Sequence, residues 1–224
     1  MISSNVPVIE LKHITKNFGE REVLKDVNLC INSGEMVSIM GKSGSGKSTL
    51  LNILGYFENQ SGGIYLFNGE KLTSENQKSE IRNRYMGFVF QSYNLIPQLT
   101  VYENIILPIY YSVDKKKRKA RLKAAEELIE KYGLSDISNS MVENISGGEK
   151  QRVCMARANV CEASLIISDE PTGNLDDKNK QIVLDGFKEM NAAGKTIIIV
   201  THDNEVESIA TKKLFLAEGV LQCV

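Results

Sequence analysis

Apolar and polar residues alternate from Val8 to Ile14 and again from Val23 to Ile31, the period-two pattern of strands with one buried face. A third short run, Ile64 to Phe67, follows the turn-forming Ser61-Gly62-Gly63, and the three predict a small antiparallel sheet. Met36 to Met40 differs: it is a compact apolar run ending at Gly41, as for a strand buried in a parallel sheet that feeds a loop and then a helix. Met86 to Phe90, Leu165 to Ile167 and Thr196 to Val200 are further short β-branched or aromatic runs of the kind that fill the middle of parallel sheets, so an α/β core is predicted. From Gln91 to Ala163 the period becomes helical. There Ala120, Ala124, Leu128 and Tyr132 fall near one face, and Glu127 and Lys131 have the spacing of an i,i+4 pair. The last strand-like run is Lys213 to Leu216, and no internal repeat is visible. The chain therefore reads as one domain over 1–224, with a core and antiparallel β subdomain from 1–90 and 164–224 and an inserted helical subdomain over 91–163.

With 42% hydrophobic and 25% charged residues in 224, the composition suits a folded globular chain and excludes disorder as the default. Lys and Arg number 27 against 28 Asp and Glu, so bulk charge points neither to nucleic acid nor to an acidic tail. The basic run Lys115 to Arg118 reads as the solvated start of a helix. Cys30, Cys154, Cys161 and Cys223 are scattered without a C-x-x-C pair, which argues for reduced, packed thiols and against zinc or a redox dithiol. Leu95 to Val113 is the most apolar stretch, but Gln98, Glu103, Asn104 and Pro108 interrupt it, whereas a bilayer span needs about 20 mainly apolar residues. The first ten residues lack the basic start and long apolar run of a secretory signal, and a cytosolic chain is expected.

Candidate chemistry is concentrated at a few places. Gly41-Lys42-Ser43-Gly44-Ser45-Gly46-Lys47-Ser48 fits G-x-x-x-x-G-K-[ST] between an apolar strand and the helical run Thr49-Leu50-Leu51. Its glycines let backbone N–H groups converge on an anion and the helix N-terminus adds its dipole, while Lys47 reaches outer phosphates and Ser48 offers a hydroxyl to Mg²⁺. Downstream, Leu165 to Glu170 is an apolar strand ending in two carboxylates, at the sheet edge where ligands bind. Asp169 would hold Mg²⁺ through water, and Glu170 would orient or deprotonate the water attacking a γ-phosphate. Either motif alone has a plain explanation, as a flexible Gly/Ser loop or a solvated turn; together they do not.

That pair is still shared by kinases, GTPases and transport ATPases. Ile145-Ser146-Gly147-Gly148-Glu149-Lys150-Gln151-Arg152, ahead of the helical Val153 to Val160, offers a second helix N-terminus able to meet an anion, or simply an N-cap. Gln91 and His202 stand just after the strands Met86 to Phe90 and Thr196 to Val200, where a polar side chain can face a phosphate, although either alone is unremarkable.

Taken in order, these segments resemble the nucleotide-binding subunit of ABC transporters over almost the whole chain. The resemblance implies a P-loop NTPase (RecA-like) α/β core with an N-terminal antiparallel β subdomain and an inserted α-helical subdomain. It implies a Walker A motif at Gly41 to Ser48, a Q-loop at Gln91, a signature at Ser146 to Glu149, a Walker B at Asp169 with base Glu170, a D-loop at Asn174-Leu175-Asp176 and a switch histidine at His202. Phe18, in Lys16-Asn17-Phe18-Gly19, looks like the aromatic that stacks on adenine, where core packing is the plainer alternative. Two copies would close head to tail around two ATP, each P-loop facing the other copy's Ser146-Gly147-Gly148. On this basis the catalytic set is Glu170, His202, Lys47 and Gln91. The ATP contacts are Phe18, Gly41, Lys42, Ser43, Gly44, Ser45, Gly46, Lys47, Ser48, Thr49, Ser146, Gly147, Gly148, Glu149 and Asp176, and the Mg²⁺ ligands Ser48, Gln91 and Asp169.

Two departures stand out in the signature: Ile145 replaces the usual Leu and Glu149 the usual Gln, and an inward-facing carboxylate there would weaken closure on a triphosphate. Ser168 and Asn159 also stand where the family commonly has apolar residues. Pro171 to Asp176 and Asn94 to Asn104 look most like a bacterial subgroup that includes the ATPases of lipoprotein-release, macrolide-export, antimicrobial-peptide-resistance and cell-division systems. The implied partners are a second copy and an integral membrane permease docking near Leu95 to Tyr111, with the chain peripheral on the inner face of the cell membrane and no nucleic acid bound. A soluble ABC ATPase of DNA repair or translation is the alternative; such proteins carry a coiled-coil insertion or a second cassette, and 224 residues hold neither. A P-loop kinase would leave the signature, Gln91 and His202 unexplained.

Overall fold

The computed structural model describes residues 6–112, 114–173 and 175–223, with Cys223 described by its backbone alone; Asn174 of the expected D-loop and the Cys223 thiol lie outside the described residues. Its elements run β1 (Ile9–Phe18), β2 (Arg21–Ile31), β3 (Met36–Met40), α1 (Lys47–Leu54), β4 (Gly62–Phe67), α2 (Glu75–Tyr85), β5 (Met86–Phe90), α3 (Val101–Tyr111), α4 (Arg118–Lys131), α5 (Gly147–Asn159), β6 (Leu165–Asp169), α6 (Asp177–Ala192), β7 (Thr196–Val200), α7 (Asn204–Ile209), β8 (Lys212–Ala217) and β9 (Val220–Cys223). Two sheets carry the architecture: a three-stranded antiparallel sheet ordered β2-β1-β4, and a six-stranded sheet ordered β5-β6-β7-β3-β8-β9 that is parallel except for β9.

Strands β1 and β2 are longer than simple alternation predicts because each contains a bulge. In β1 the buried set Ile9, Leu11, Ile14 and Lys16 skips a residue at His13, which has φ 52°; in β2 the set Leu24, Val27, Leu29 and Ile31 skips one at Asp26, also with φ 52°. Each bulge returns the inward face to register, so pairing continues to Phe18 and Arg21. The two bulges face each other, with His13 Nδ1 2.6 Å from Asp26 Oδ1.

Strands of the large sheet are buried on both faces, which is why they read as unbroken apolar runs. Ile198, Val200, Leu165 and Ile167 pack toward α1 and the small sheet, whereas Ile197, Ile199 and Ile166 pack toward the helices α3, α4, α5 and α6. The register then places the C-terminal ends of adjacent strands together, Phe90 beside Asp169, Asp169 beside Val200, and Val200 beside Ile39. Everything that leaves those strands next, from Gly41, Glu170, Gln91 and Thr201, emerges at one edge of the sheet.

On the opposite side, α5 lies so close to β5 that a Cβ on Gly87 would collide with the backbone carbonyl of Ala158. The face of α4 differs from the expected one: Arg121, Ala125, Leu128 and Ile129 are buried with Tyr132, while Ala120 is exposed and Ala124 only half-buried. The shift arises because Arg121, not an alanine, takes the inward place, with its guanidinium bonded to the buried Ser112 hydroxyl. Nor do Glu127 and Lys131 pair with each other; Lys131 meets Glu189 of α6 at 2.6 Å and Glu127 lies 3.8 Å from Lys123.

Candidate nucleotide site

The loop between β3 and α1 is built for an anion. Gly44 and Gly46 have φ of 78° and 104°, in the left-handed region that only glycine adopts without strain. Gly46 is the N-cap of α1 and supplies no side chain to it, and no acidic residue occupies the first turn, so the helix N-terminus is open to a ligand. Gly41 is required by crowding, since a Cβ there would clash with the Leu216 carbonyl and lie 2.8 Å from Ser45 Oγ. Lys47 folds back along the loop, donating to the carbonyls of Gly41 at 2.6 Å and Lys42 at 3.1 Å.

A cavity of about 830 Å³ opens over this loop, within the size range of small-molecule sites. Its walls bring together Phe18, Gly41, Lys42, Ser43, Gly44, Gly46, Lys47, Ser48, Thr49, Gln91, Asp169, Glu170 and His202. Ser45 is not among them; its hydroxyl is buried on the far side of the loop without a hydrogen-bond partner. Phe18 is half exposed at the rim, with Lys16 Nζ 4.7 Å from its ring centroid, and is therefore not a core residue. Arg21 and Val23 also line the cavity, and sequence reasoning missed them. Their only signal was that the chain returns along β2 immediately after Phe18.

The carboxylates occupy distinct environments. Burial, reinforced by the neighbouring Glu170 charge and opposed by Lys47, raises the Asp169 pKa from its ordinary value. Glu170 sits at φ 45°, a strained conformation for this residue type, and its side chain is tightly held. Thr201 Oγ1 donates to Glu170 Oε2 at 3.1 Å, the His202 amide donates to the same oxygen at 3.3 Å, and His202 Nδ1 lies 2.8 Å from Oε1. Thr201 is another residue the sequence reading overlooked, although it stands at the strand end next to Glu170. Ser168, one residue earlier, is fully buried with an unpartnered hydroxyl, as is Ser38 of β3; nothing in the structure explains either.

The second helix N-terminus lies elsewhere. Ser146 caps α5 in a reciprocal box: Glu149 N donates to Ser146 Oγ at 3.4 Å, while Ser146 N and Oγ donate to Glu149 Oε2 at 2.8 and 2.7 Å. Those bonds hold the Glu149 carboxyl below its ordinary pKa. Asp176 caps α6 by accepting from the Asn179 amide at 2.8 Å. Asn179 binds Asp176 through its side chain as well, receives Arg152 at 2.5 Å, and packs so closely on Gly148 that a side chain there would have to displace it. Ser146, Gly147, Gly148, Glu149 and Asp176 are thus joined to one another and lie outside the cavity that holds the P-loop of the same chain.

A parallel strand, a glycine-rich loop and an open helix N-terminus, with two carboxylates ending the neighbouring strand, define a P-loop nucleotide-binding protein. The chain belongs to the ABC transporter family, whose pattern it matches over residues 24–173, and it is an ATP-binding, ATP-hydrolysing subunit of that family. It is 43% identical over 219 residues to the ABC transporter ATP-binding protein YknY of Bacillus subtilis strain 168, covering 95% of this chain and 94% of that one. Against the macrolide export ATP-binding/permease protein MacB of Pasteurella multocida it is 41% identical over 221 residues, covering 96% of this chain but 34% of MacB, so it spans about a third of that relative. Among solved structures, the dimeric bacterial ABC transporter cassette MJ0796 superposes with a TM-score of 0.86 at 38% identity, covering 96% of each chain. A post-hydrolysis dimer of MJ0796 bound to ADP and phosphate gives 0.85 at 36% identity, covering 96% of this chain and 98% of that one.

Proposed function

We propose that two copies of this chain close head to tail around two ATP molecules and that the cycle of closure and reopening drives a separate membrane permease in export. One observation carries the reading: among the described residues the α1 N-terminus shares a cavity with Glu170, Gln91 and His202, whereas the Ser146-Gly147-Gly148 end of α5 lies outside it. The Ser146-Gly147-Gly148 end then completes the site of another copy.

In each site the Gly44 and Gly46 loop and the α1 N-terminus hold the phosphates, Lys47 leaves its carbonyl partners for the outer phosphates, and Phe18 with Arg21 receives the base. Glu170 orients and deprotonates water, Thr201 and the His202 amide keep its carboxylate aimed, and His202 exchanges Glu170 for the γ-phosphate. The residues fit Mg²⁺: the Ser48 hydroxyl, the Gln91 amide oxygen and the partly buried Asp169 carboxylate are hard oxygen donors, and the described residues contain no group of three His, Cys, Asp or Glu that would form an all-protein cage. When bound, the ion would neutralise charge between the phosphates.

No helix among the described residues is long and apolar enough to cross a membrane. A peripheral place on the inner membrane face is proposed with the permease as anchor, and the MacB relatives, named for macrolide export, support the direction. Within the stretch from Leu95 to Tyr111, Val101, Asn104, Ile105, Ile106 and Ile109 are buried, and Ile96, Tyr110 and Tyr111 are its large hydrophobic residues left exposed. Beside it runs a groove of about 410 Å³ lined by Phe57, Phe88, Phe90, Pro108, Arg82 and Arg157, and this aromatic, cationic surface is the proposed seat of the permease. Substituting Phe57→Glu should release the chain from membranes of its source cell while basal ATP hydrolysis continues. Retained membrane binding would contradict the docking assignment, and a wild-type chain that does not hydrolyse ATP would contradict the reading as a whole.

A further inference from the structure

Arg157 links the groove to the loop at the nucleotide edge. Near the C-terminal end of α5, it lines the groove and is mostly buried, yet among the described residues no carboxylate forms a salt bridge with it. Its guanidinium donates instead to two consecutive backbone carbonyls, NH1 to Asn94 at 2.6 Å and NH2 to Tyr93 at 2.7 Å. The Cys154 thiol, one turn earlier on the same helix, donates to the Tyr93 carbonyl at 3.1 Å. Tyr93 and Asn94 both have left-handed backbones, φ 61° and 47°, which non-glycine residues hold only when their surroundings fix them. Just before them stands Gln91, whose side chain packs 2.9 Å from where a Cβ of Gly173 would stand, beside the loop that follows Glu170.

The other end of α5 meets the same loop. The Tyr93 hydroxyl lies 3.0 Å from the place a Cβ of Gly147 would occupy, at the first residue of the helix and next to Ser146. One residue of the loop is therefore held through its carbonyl by the last turns of α5 and set by its ring against the first.

We infer that Arg157 and Tyr93 are positioning residues that fasten the Gln91 loop to α5, so that the loop and the Ser146-Gly147-Gly148 end move as one body when the nucleotide sandwich closes. A guanidinium suits the task because its planar fork spans two neighbouring carbonyls, which a lysine ammonium cannot do with the same geometry. Arg157 also forms part of the groove floor, so a segment seated there acts on both ends of α5 through it. The inference rests on the proposed cross-copy role of the signature.

The test uses Arg157→Lys and Tyr93→Ala, each combined with Glu170→Gln, with the ATP dependence of dimerisation followed by sedimentation and nucleotide affinity measured on the monomer at low protein concentration. The ATP concentration at half-maximal dimerisation should rise about tenfold, the equivalent of about 1.4 kcal/mol, while monomer affinity stays within about twofold. With Glu170 intact, the KM for ATP hydrolysis at fixed protein concentration should rise by a similar factor, while kcat of the closed dimer stays within about twofold. Hydrogen exchange at the amides of 91–94 should quicken in Arg157→Lys. A midpoint equal to that of the Glu170→Gln parent would overturn the inference, as would a loss of monomer affinity in step with dimerisation, which marks general loosening. A parent that fails to dimerise would instead overturn the signature assignment on which the inference rests.

Discussion

Glu149 is acidic where the family's signature usually has a neutral amide, and the structure turns its carboxylate onto its own helix: Oε2 takes both the amide and the hydroxyl of Ser146. The hydroxyl is thereby committed inside the chain, and a negative charge stands at the helix end that would meet a phosphate. A charge at a helix terminus is worth about 0.3–1 kcal/mol, so Glu149→Gln should lower the ATP concentration for closure of a Glu170→Gln dimer by about twofold to fivefold. The opposite shift would mean that the carboxylate assists closure. Because the Glu149 pKa is lowered in the folded chain, the cap contributes stability above the ordinary glutamate pKa and loses it as pH falls through the folded value. The Tm of wild type should accordingly fall toward that of Glu149→Gln in melts recorded at successively lower pH. Residues such as Arg21, Thr201, Asn179, Tyr93 and Arg157 were not legible in the sequence, because no fixed spacing joins them to a motif and their roles exist only through the turn of β1 into β2, the strand register and the packing of α5.

Among the elements, the strands of the large sheet were the most legible, since burial on both faces leaves an unbroken apolar run that ends at the functional edge. Helix α2 carries no apolar stripe; its single buried residue is Lys78, and its start is fixed by the Ser74-Gln77 capping box, a local signal easily passed over. Strand β9 is four residues joined to β8 through Glu218 and Gly219, with φ 49° and 81°, a tight turn whose first residue is not a usual turn former. The contact of α5 with β5 sets a measurable requirement. Gly87→Ala must push apart two backbones, and urea unfolding should show a loss of about 1–3 kcal/mol; a neutral result would place α5 farther from the sheet. The same helix carries the buried Cys154, whose thiol is pushed by burial up to about 12, whereas Cys30 is exposed. Peptide mapping after brief alkylation of the native chain at pH 8 should find Cys30 modified well before Cys154, and equal rates would show that the core opens readily.

At the scale of the whole molecule, the strand ends gather one set of groups around the P-loop and leave the other, Ser146 to Glu149 with Asp176, joined through Asn179 on a separate surface. One chain thus holds two incomplete halves, and the account requires that a second copy supply what each lacks. The direct measurement is sedimentation of Glu170→Gln with saturating ATP and Mg²⁺, with ADP as control. A stable dimer with ATP, containing two nucleotides, and a monomer with ADP are the predicted result; a chain that stays monomeric while saturated with ATP would contradict it.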